Sequence, residues 1–115
     1  MQKLLILLIL FGTTFASAKP AQPVSEEVHE KNCRDLMKYA EMAMDAKQKG
    51  ISLSKMLEIN DKTISKKDNL EMHDVFQSIL IDAYGEPTYS SPTVKREQKN
   101  EYAAKYYIAC MEMYK

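Results

Sequence analysis

Apolar residues in the first half of the chain recur with the spacing of an amphipathic helix. From Glu26 to Lys49 they fall at intervals of three and four residues, which places them on one helical face. Acidic residues open this segment and Lys47 and Lys49 close it, as the helix dipole favours. Gly50 then supplies the left-handed position at which helices commonly end. The pattern predicts a long helix with an apolar face of Cys33, Leu36, Met37, Ala40, Ala43 and Met44.

Two further helices are predicted in the middle of the chain. The segment 51–59 has the pattern of a short helix, with Ser52 as its N-terminal cap. The polar segment 60–67 breaks the periodicity, and a third helix starts near Asp68 and ends at Gly85. The apolar face of this third helix consists of Met72, Val75, Phe76, Ile79, Leu80 and Ala83.

A fourth helix follows a loop at 88–93. Ser91 suits the capping position, and Pro92 suits the first helical position, where a missing N–H group costs nothing. The helix extends to about Met113, and no segment alternates as a strand would. The sequence therefore predicts an all-α bundle of three long helices and one short helix. The inner face of the last helix is predicted to be Ala103, Tyr106, Tyr107, Cys110, Met113 and Tyr114, with Tyr102 at its edge.

The N-terminal segment has the features of an export signal. Met1–Ala18 combines a positive start, a short apolar run and a small-residue cleavage site, which predicts a mature chain beginning at Lys19. The apolar run is shorter than the roughly 20 residues that cross a bilayer, so we expect no stable membrane insertion. We divide the chain into a signal peptide at 1–18, a flexible leader at 19–25 and one helical domain at 26–115. The expected location is the periplasm or the extracellular space.

Export determines how the two cysteines are interpreted. Exported proteins form disulfides, so Cys33 and Cys110 are predicted to pair. A structural role is favoured over a redox or catalytic one because the chain has no C-x-x-C motif. If the first and last helices are antiparallel, this bond joins them at one end of the bundle.

The charge balance and the glycine content exclude several classes of function. The signal contains one of the 16 basic residues and none of the 16 acidic ones, so the mature chain is close to neutral. This balance argues against nucleic-acid binding, which requires excess positive charge. Beyond the signal, Gly50 and Gly85 are the only glycines, so a phosphate-binding loop and a nucleophile elbow are absent. No catalytic residue and no cofactor are predicted.

Histidine and methionine residues offer the remaining candidate chemistry. His29 and Cys33 have the i, i+4 spacing of helical zinc ligands, but the predicted disulfide removes the Cys33 thiolate. His73 lies beside the apolar face of the third helix and is interpreted as a surface or boundary residue. Thioethers bind Cu(I) and Ag(I), and Met42 and Met111 are the exposed candidates. Packing in the core explains most of the other methionines.

Tyrosine is abundant, and the chain has no tryptophan. Tyr84 and Tyr89 flank the turn that follows the third helix, and tyrosine combines a large contact area with a polar tip. Packing at the rim of a small core is the simpler explanation for most tyrosines. Tyr84 and Tyr89 are nevertheless the predicted partner surface.

A set of residues spread over most of the mature chain forms a recognisable pattern in its order and spacing. These residues are Cys33, Ala43–Gly50, Ser52, Met56, Leu57, Ala83–Pro87, Glu101, Tyr102, Tyr107 and Cys110. In this pattern the chain resembles a group of small, exported, uncharacterised bacterial and phage-encoded proteins. The resemblance implies a helical fold with one disulfide joining its two ends, and it implies no activity and no functional residue. A looser similarity is to periplasmic acid-stress chaperones, which are also small and helical with one disulfide but place their cysteines differently.

These features predict a soluble, non-enzymatic interaction protein of the periplasm. Its expected partner is another envelope protein, on which it would act as an inhibitor, an immunity factor or a chaperone. The alternative is a Cu(I)- or Ag(I)-binding protein that uses Met42 and Met111 with His29 or His73. The sequence leaves the oligomeric state open.

Overall fold

Four α-helices account for nearly all of the described chain. The computed structural model describes residues 24–64 and 66–113, excepting the side chains of 66–70. The predicted signal peptide and most of the predicted leader lie outside these residues. No strand occurs in the part that is described, so the all-α prediction is confirmed. The helices are α1 (Glu26–Gln48), α2 (Leu53–Thr63), α3 (Lys66–Tyr84) and α4 (Pro92–Glu112).

Serine side chains cap three of the helix starts. The hydroxyl oxygen of Ser52 accepts a hydrogen bond from the backbone N–H of Lys55 at 3.1 Å, and Ser91 accepts one from Val94 at 3.5 Å. Ser25 caps α1 in the same way. These bonds satisfy N–H groups that have no partner within the helix. The capping roles predicted for Ser52 and Ser91 are confirmed, as is Pro92 in the first turn.

Gly50 reverses the chain between α1 and α2. Its φ is +82°, in the left-handed region that glycine adopts without steric cost. The backbone N–H of Gly50 donates to the Lys47 carbonyl at 3.0 Å, and that of Ile51 donates to the Ala46 carbonyl at 3.0 Å. The predicted end of the first helix is therefore confirmed.

The boundary between α2 and α3 differs from the prediction. Helix α2 continues to Thr63 and α3 begins at Lys66, whereas the polar segment 60–67 was expected to break the periodicity. The reason is Asn60, which is buried and whose Nδ2 donates to the His73 carbonyl at 3.0 Å. The amide nitrogen is bonded across the interface with α3, while Oδ1 is buried without a partner among the described residues. A polar side chain can therefore face a helix interface, and polarity alone did not mark the end of this helix.

Helix α1 is the central element of the packing. It packs against both α4 and α3, and α2 packs against α3. None of the helices within the described residues is long and apolar enough to cross a membrane. The core that these helices enclose consists of Ala40, Ala43, Met44, Ala46, Met56, Phe76, Ile79, Leu80, Ala83 and Tyr102.

The inner face of α4 is rotated relative to the prediction. Tyr102, expected at the edge, is 2% exposed, and Met113, expected inside, is 80% exposed. Met113 follows the last helical residue, where no neighbouring helix covers it. Tyr102 is buried because its hydroxyl donates to a main-chain carbonyl of α3, so the ring and its polar tip are both accommodated inside.

Candidate functional site

The disulfide between Cys33 and Cys110 joins the start of α1 to the end of α4. The two Cα atoms are 5.5 Å apart, and the predicted pairing is confirmed. At the opposite end of the same helix pair, the Gln48 side chain donates to the Lys95 carbonyl at 2.7 Å. These two contacts show that α1 and α4 run antiparallel along their length.

His29 lies directly against the disulfide. Its Nε2 donates to the Cys110 carbonyl at 2.8 Å and lies 3.4 Å from the sulfur of Cys33. About one helical turn before Cys110, the Tyr107 hydroxyl donates a hydrogen bond to the Glu30 carboxylate at 2.7 Å. This bond lowers the pKa of the Glu30 carboxyl. The spacing of His29 and Cys33 was visible in the sequence. The predicted disulfide also placed Cys110 beside Cys33, but the hydrogen bond from His29 to the Cys110 carbonyl was not predicted.

A surface cavity of about 340 Å³ lies between α4 and the loop that follows α3. Tyr89, 41% exposed, forms one wall from the loop, and Val94 supplies an apolar side chain from the first turn of α4. The buried amide of Gln98 lies at its base. The cavity therefore combines an aromatic wall with polar groups, as many recognition sites do. Its lining is completed by Glu86, Glu97, Glu101, Tyr102 and Lys105.

The loop that carries Tyr89 is held from two sides. The ammonium of Lys47, on α1, donates to the main-chain carbonyls of Glu86 and Pro87. Gln98, on α4, donates to the Pro87 carbonyl at 2.8 Å and accepts from Gln48 at 3.1 Å. These bonds fix the loop to two helices and so hold the wall of the cavity in place.

Some of the charged side chains around the cavity form ion pairs and others do not. Lys105 lies 3.0 Å from Asp82 and 3.6 Å from Glu86, so it neutralises carboxylates at one side. Its ammonium also lies over the rings of Tyr102 and Tyr106, at 4.8 and 5.6 Å from their centres. Glu97 and Glu101 are exposed and form no ion pair with another described residue. The open side of the cavity is therefore negatively charged.

A chain of hydrogen bonds reaches this cavity through Tyr102, which lines it. The Tyr106 hydroxyl donates to Asp82 at 2.8 Å, and the Tyr102 hydroxyl lies 3.3 Å from that of Tyr106. Burial opposes the ionisation of Asp82, but the bonds from Tyr106 and Lys105 outweigh it, so the pKa of Asp82 is lowered. Burial raises the pKa of Tyr102 and Tyr106. Both hydroxyls therefore remain protonated donors at neutral pH.

Tyr84 and Tyr89 do not line one common cavity. The Tyr84 hydroxyl donates to the Ile51 carbonyl at 2.6 Å, and burial raises its pKa. Tyr84 thus connects the end of α3 to the turn before α2. Tyr89 lines the cavity beside α4. Whether either residue contacts a partner stays a prediction; of the two, Tyr89 is the one that lines this cavity.

His73 is buried, and its interpretation as a surface or boundary residue is wrong. Its side chain is fully enclosed, with Nε2 2.7 Å from Asp61 and Nδ1 3.0 Å from Asp74. Asp61 belongs to α2, which covers this part of α3. The ring thus connects the two helices, and its two polar nitrogens are accommodated in the interior because a carboxylate lies within hydrogen-bond distance of each.

The methionines proposed for metal binding are separated. Cys33 and Cys110 lie opposite each other, and Met42 is nine residues further along α1, about 14 Å at the helical rise per residue. Met111 lies at the disulfide end, next to Cys110. His73 is enclosed between α2 and α3. The structure therefore does not bring Met42 and Met111 together.

Comparisons of the chain with protein-family models, with curated proteins and with solved structures give no match.

Proposed function

We propose that this chain is a non-enzymatic interaction protein that binds another protein of the cell envelope. Its scaffold is a small bundle of three long helices and one short helix, closed by the Cys33–Cys110 disulfide. The observation that carries the proposal is the cavity beside Tyr89, because its loop is fixed to both α1 and α4 while the tyrosine ring remains exposed. A preformed site binds with little loss of conformational entropy.

The chemistry of the cavity favours a basic side chain on the partner. Glu97 and Glu101 supply negative charge that no ion pair within the described residues neutralises. The Tyr89 ring offers a face on which an arginine guanidinium stacks, and Val94 covers the apolar stem of such a side chain. We therefore propose an arginine or lysine, presented on the surface of the partner protein, as the group that enters the cavity.

Site-specific photo-crosslinking in the exporting cell tests this proposal. A photoreactive phenylalanine derivative replaces Tyr89 in one variant and Ile108 in the other. Ile108 is the matched control, because it is 58% exposed and lies near the disulfide end of α4. We expect a discrete adduct with an envelope protein at position 89 and none at position 108.

Charge reversal supplies the second arm of the experiment. Glu97→Lys with Glu101→Lys, introduced beside the photoreactive residue, should abolish the adduct at position 89. Arg96→Glu is the control, because it also reverses charge at an exposed position of α4 but does not line the cavity. An adduct that survives the double reversal, or equal adducts at 89 and 108, contradicts the proposed site.

A further inference from the structure

The disulfide end of the molecule brings together three potential metal ligands. His29 and Cys33 lie one turn apart on α1, and Cys110 reaches them from α4. One ligand atom from each side chain lies within 4.8 Å of the other two. An imidazole and two sulfurs at this separation form a donor set typical of zinc sites.

In the oxidised chain both sulfurs are bonded to each other and neither is a thiolate. A dithiol reductant changes this. One of its thiolates attacks a sulfur of the disulfide, and the Cys33–Cys110 bond breaks to leave a mixed disulfide between the protein and the reductant. The second thiolate of the reductant then attacks the reductant's sulfur in this mixed disulfide and expels the protein thiol. The products are the oxidised reductant and two free thiols, at Cys33 and Cys110. The reductant supplies both electrons and both protons.

We propose that reduction of the Cys33–Cys110 disulfide opens a Zn²⁺ site formed by His29, Cys33 and Cys110. The metal displaces one proton from each thiol and binds two thiolates and one imidazole nitrogen. Cys33 is fully buried, whereas His29 and Cys110 are partly exposed. A fourth position on the metal therefore faces the solvent, where a water molecule completes a tetrahedron.

The present contacts of His29 define what must change on binding. Nε2 now carries a proton, because it donates to the Cys110 carbonyl. To bind zinc through Nε2, the imidazole holds its proton on Nδ1 instead and turns Nε2 from the carbonyl to the metal. The nitrogen already lies 3.4 Å from the Cys33 sulfur, so the ligand atoms start close together. The two sulfurs must also move apart after the S–S bond breaks, because a tetrahedral metal ion holds its ligands apart.

Such a site has a structural consequence for the reduced protein. Loss of the disulfide removes the covalent connection between the start of α1 and the end of α4. A zinc ion bound by residues of both helices restores a connection at the same place. Zinc is therefore expected to stabilise the reduced chain and to leave the oxidised chain unaffected.

Zinc titration of the mature protein in its two redox states tests the proposal. The protein is reduced with a phosphine, kept free of oxygen, and titrated with Zn²⁺ against a chromophoric chelator. Native mass spectrometry gives the stoichiometry, and circular dichroism gives the melting temperature. We expect one zinc per reduced chain with a rise in the melting temperature, and no zinc on the oxidised chain.

Two variants separate this site from unspecific binding by free thiols. His29→Ala should weaken zinc binding by at least about tenfold, the smallest loss seen even for outer-shell partners of metal ligands. Asn32→Ala, an exposed neighbour on the same helix, should bind as the wild type does. Equal affinity of His29→Ala and wild type overturns the proposal, as does failure of the reduced wild type to bind zinc.

Discussion

The hydroxyl of Tyr102 donates a hydrogen bond of 2.6 Å to the main-chain carbonyl of Ile79. Tyr102 belongs to α4 and Ile79 to α3, and both side chains are buried. The Tyr106 ring packs edge-on against that of Tyr102, with centres 5.2 Å apart. These tyrosines connect α3 and α4 through side chains, as does the ion pair between Lys105 and Asp82.

Tyr102→Phe should destabilise the protein by about 1 kcal/mol, the typical net contribution of one hydrogen bond. The ring and its packing stay in place, so the loss reports the hydroxyl, through its bond to Ile79 and its longer contact with the Tyr106 hydroxyl. Tyr39→Phe is the matched control, because Tyr39 packs against Phe76 and its hydroxyl bonds to no described residue. Urea unfolding measures both variants. Equal stability of Tyr102→Phe and wild type would show that the buried hydroxyl contributes nothing.

Cys110→Ser should lower the melting temperature strongly while the helical spectrum persists at low temperature. The disulfide closes a loop between residues separated by 77 positions. In the chain-entropy model, a loop of this length contributes about 4–5 kcal/mol. Thermal unfolding followed by circular dichroism measures the change, and reduced wild type should match the variant. A melting temperature equal to that of oxidised wild type would refute this contribution.

Stability should fall in acid partly because of Asp82. Its pKa in the folded protein is below the ordinary value of 3.8, so ionised Asp82 favours the folded state above that pH. The contribution is lost as the pH falls through the lower, folded value. Asp82→Asn should therefore lose less stability than wild type between pH 6 and pH 3, as measured by urea unfolding. Asp35→Asn is the control, and an identical acid dependence in Asp82→Asn and wild type would argue against this role.

His73→Leu should loosen α2 more than the rest of the protein. The substitution keeps an apolar side chain in the interior but removes both contacts to carboxylates, a loss of about 1–3 kcal/mol. Asp61→Asn should cost less, because Asp61 is 60% exposed and its charge is solvated. Hydrogen exchange measures the effect at each amide. If the amides of α2 exchange no faster than those of α1 in His73→Leu, the ring does not hold the two helices together.

Local signals in the sequence were sufficient to predict the fold class and most helix ends. Ser52, Gly50 and the Ser91–Pro92 pair act through bonds and dihedral angles within a few residues, so their roles can be deduced without tertiary structure. The end of α2 could not be deduced in this way. The burial of Asn60 depends on the carbonyl of His73, which belongs to the next helix.

The candidate sites were less predictable because they combine residues from separate helices. The pattern around His73 gave no sign that Asp61 approaches it from α2. The pairing of Cys33 with Cys110 was predicted, but the contact of His29 with the Cys110 carbonyl was not, because it depends on how α1 and α4 pack. Tyr89 was identified from its position in a turn, but the carboxylates beside it lie on α4. Only the packing of the helices places such groups together.

The position of the disulfide also determines what a protease can release. All of α2 and α3, and most of α1 and α4, lie between Cys33 and Cys110. A single cut anywhere between these two residues therefore produces two pieces that stay covalently joined. Such a nicked molecule keeps its mass apart from one added water and separates into fragments only after reduction. Processing of the interior loops would thus be invisible on a non-reducing gel.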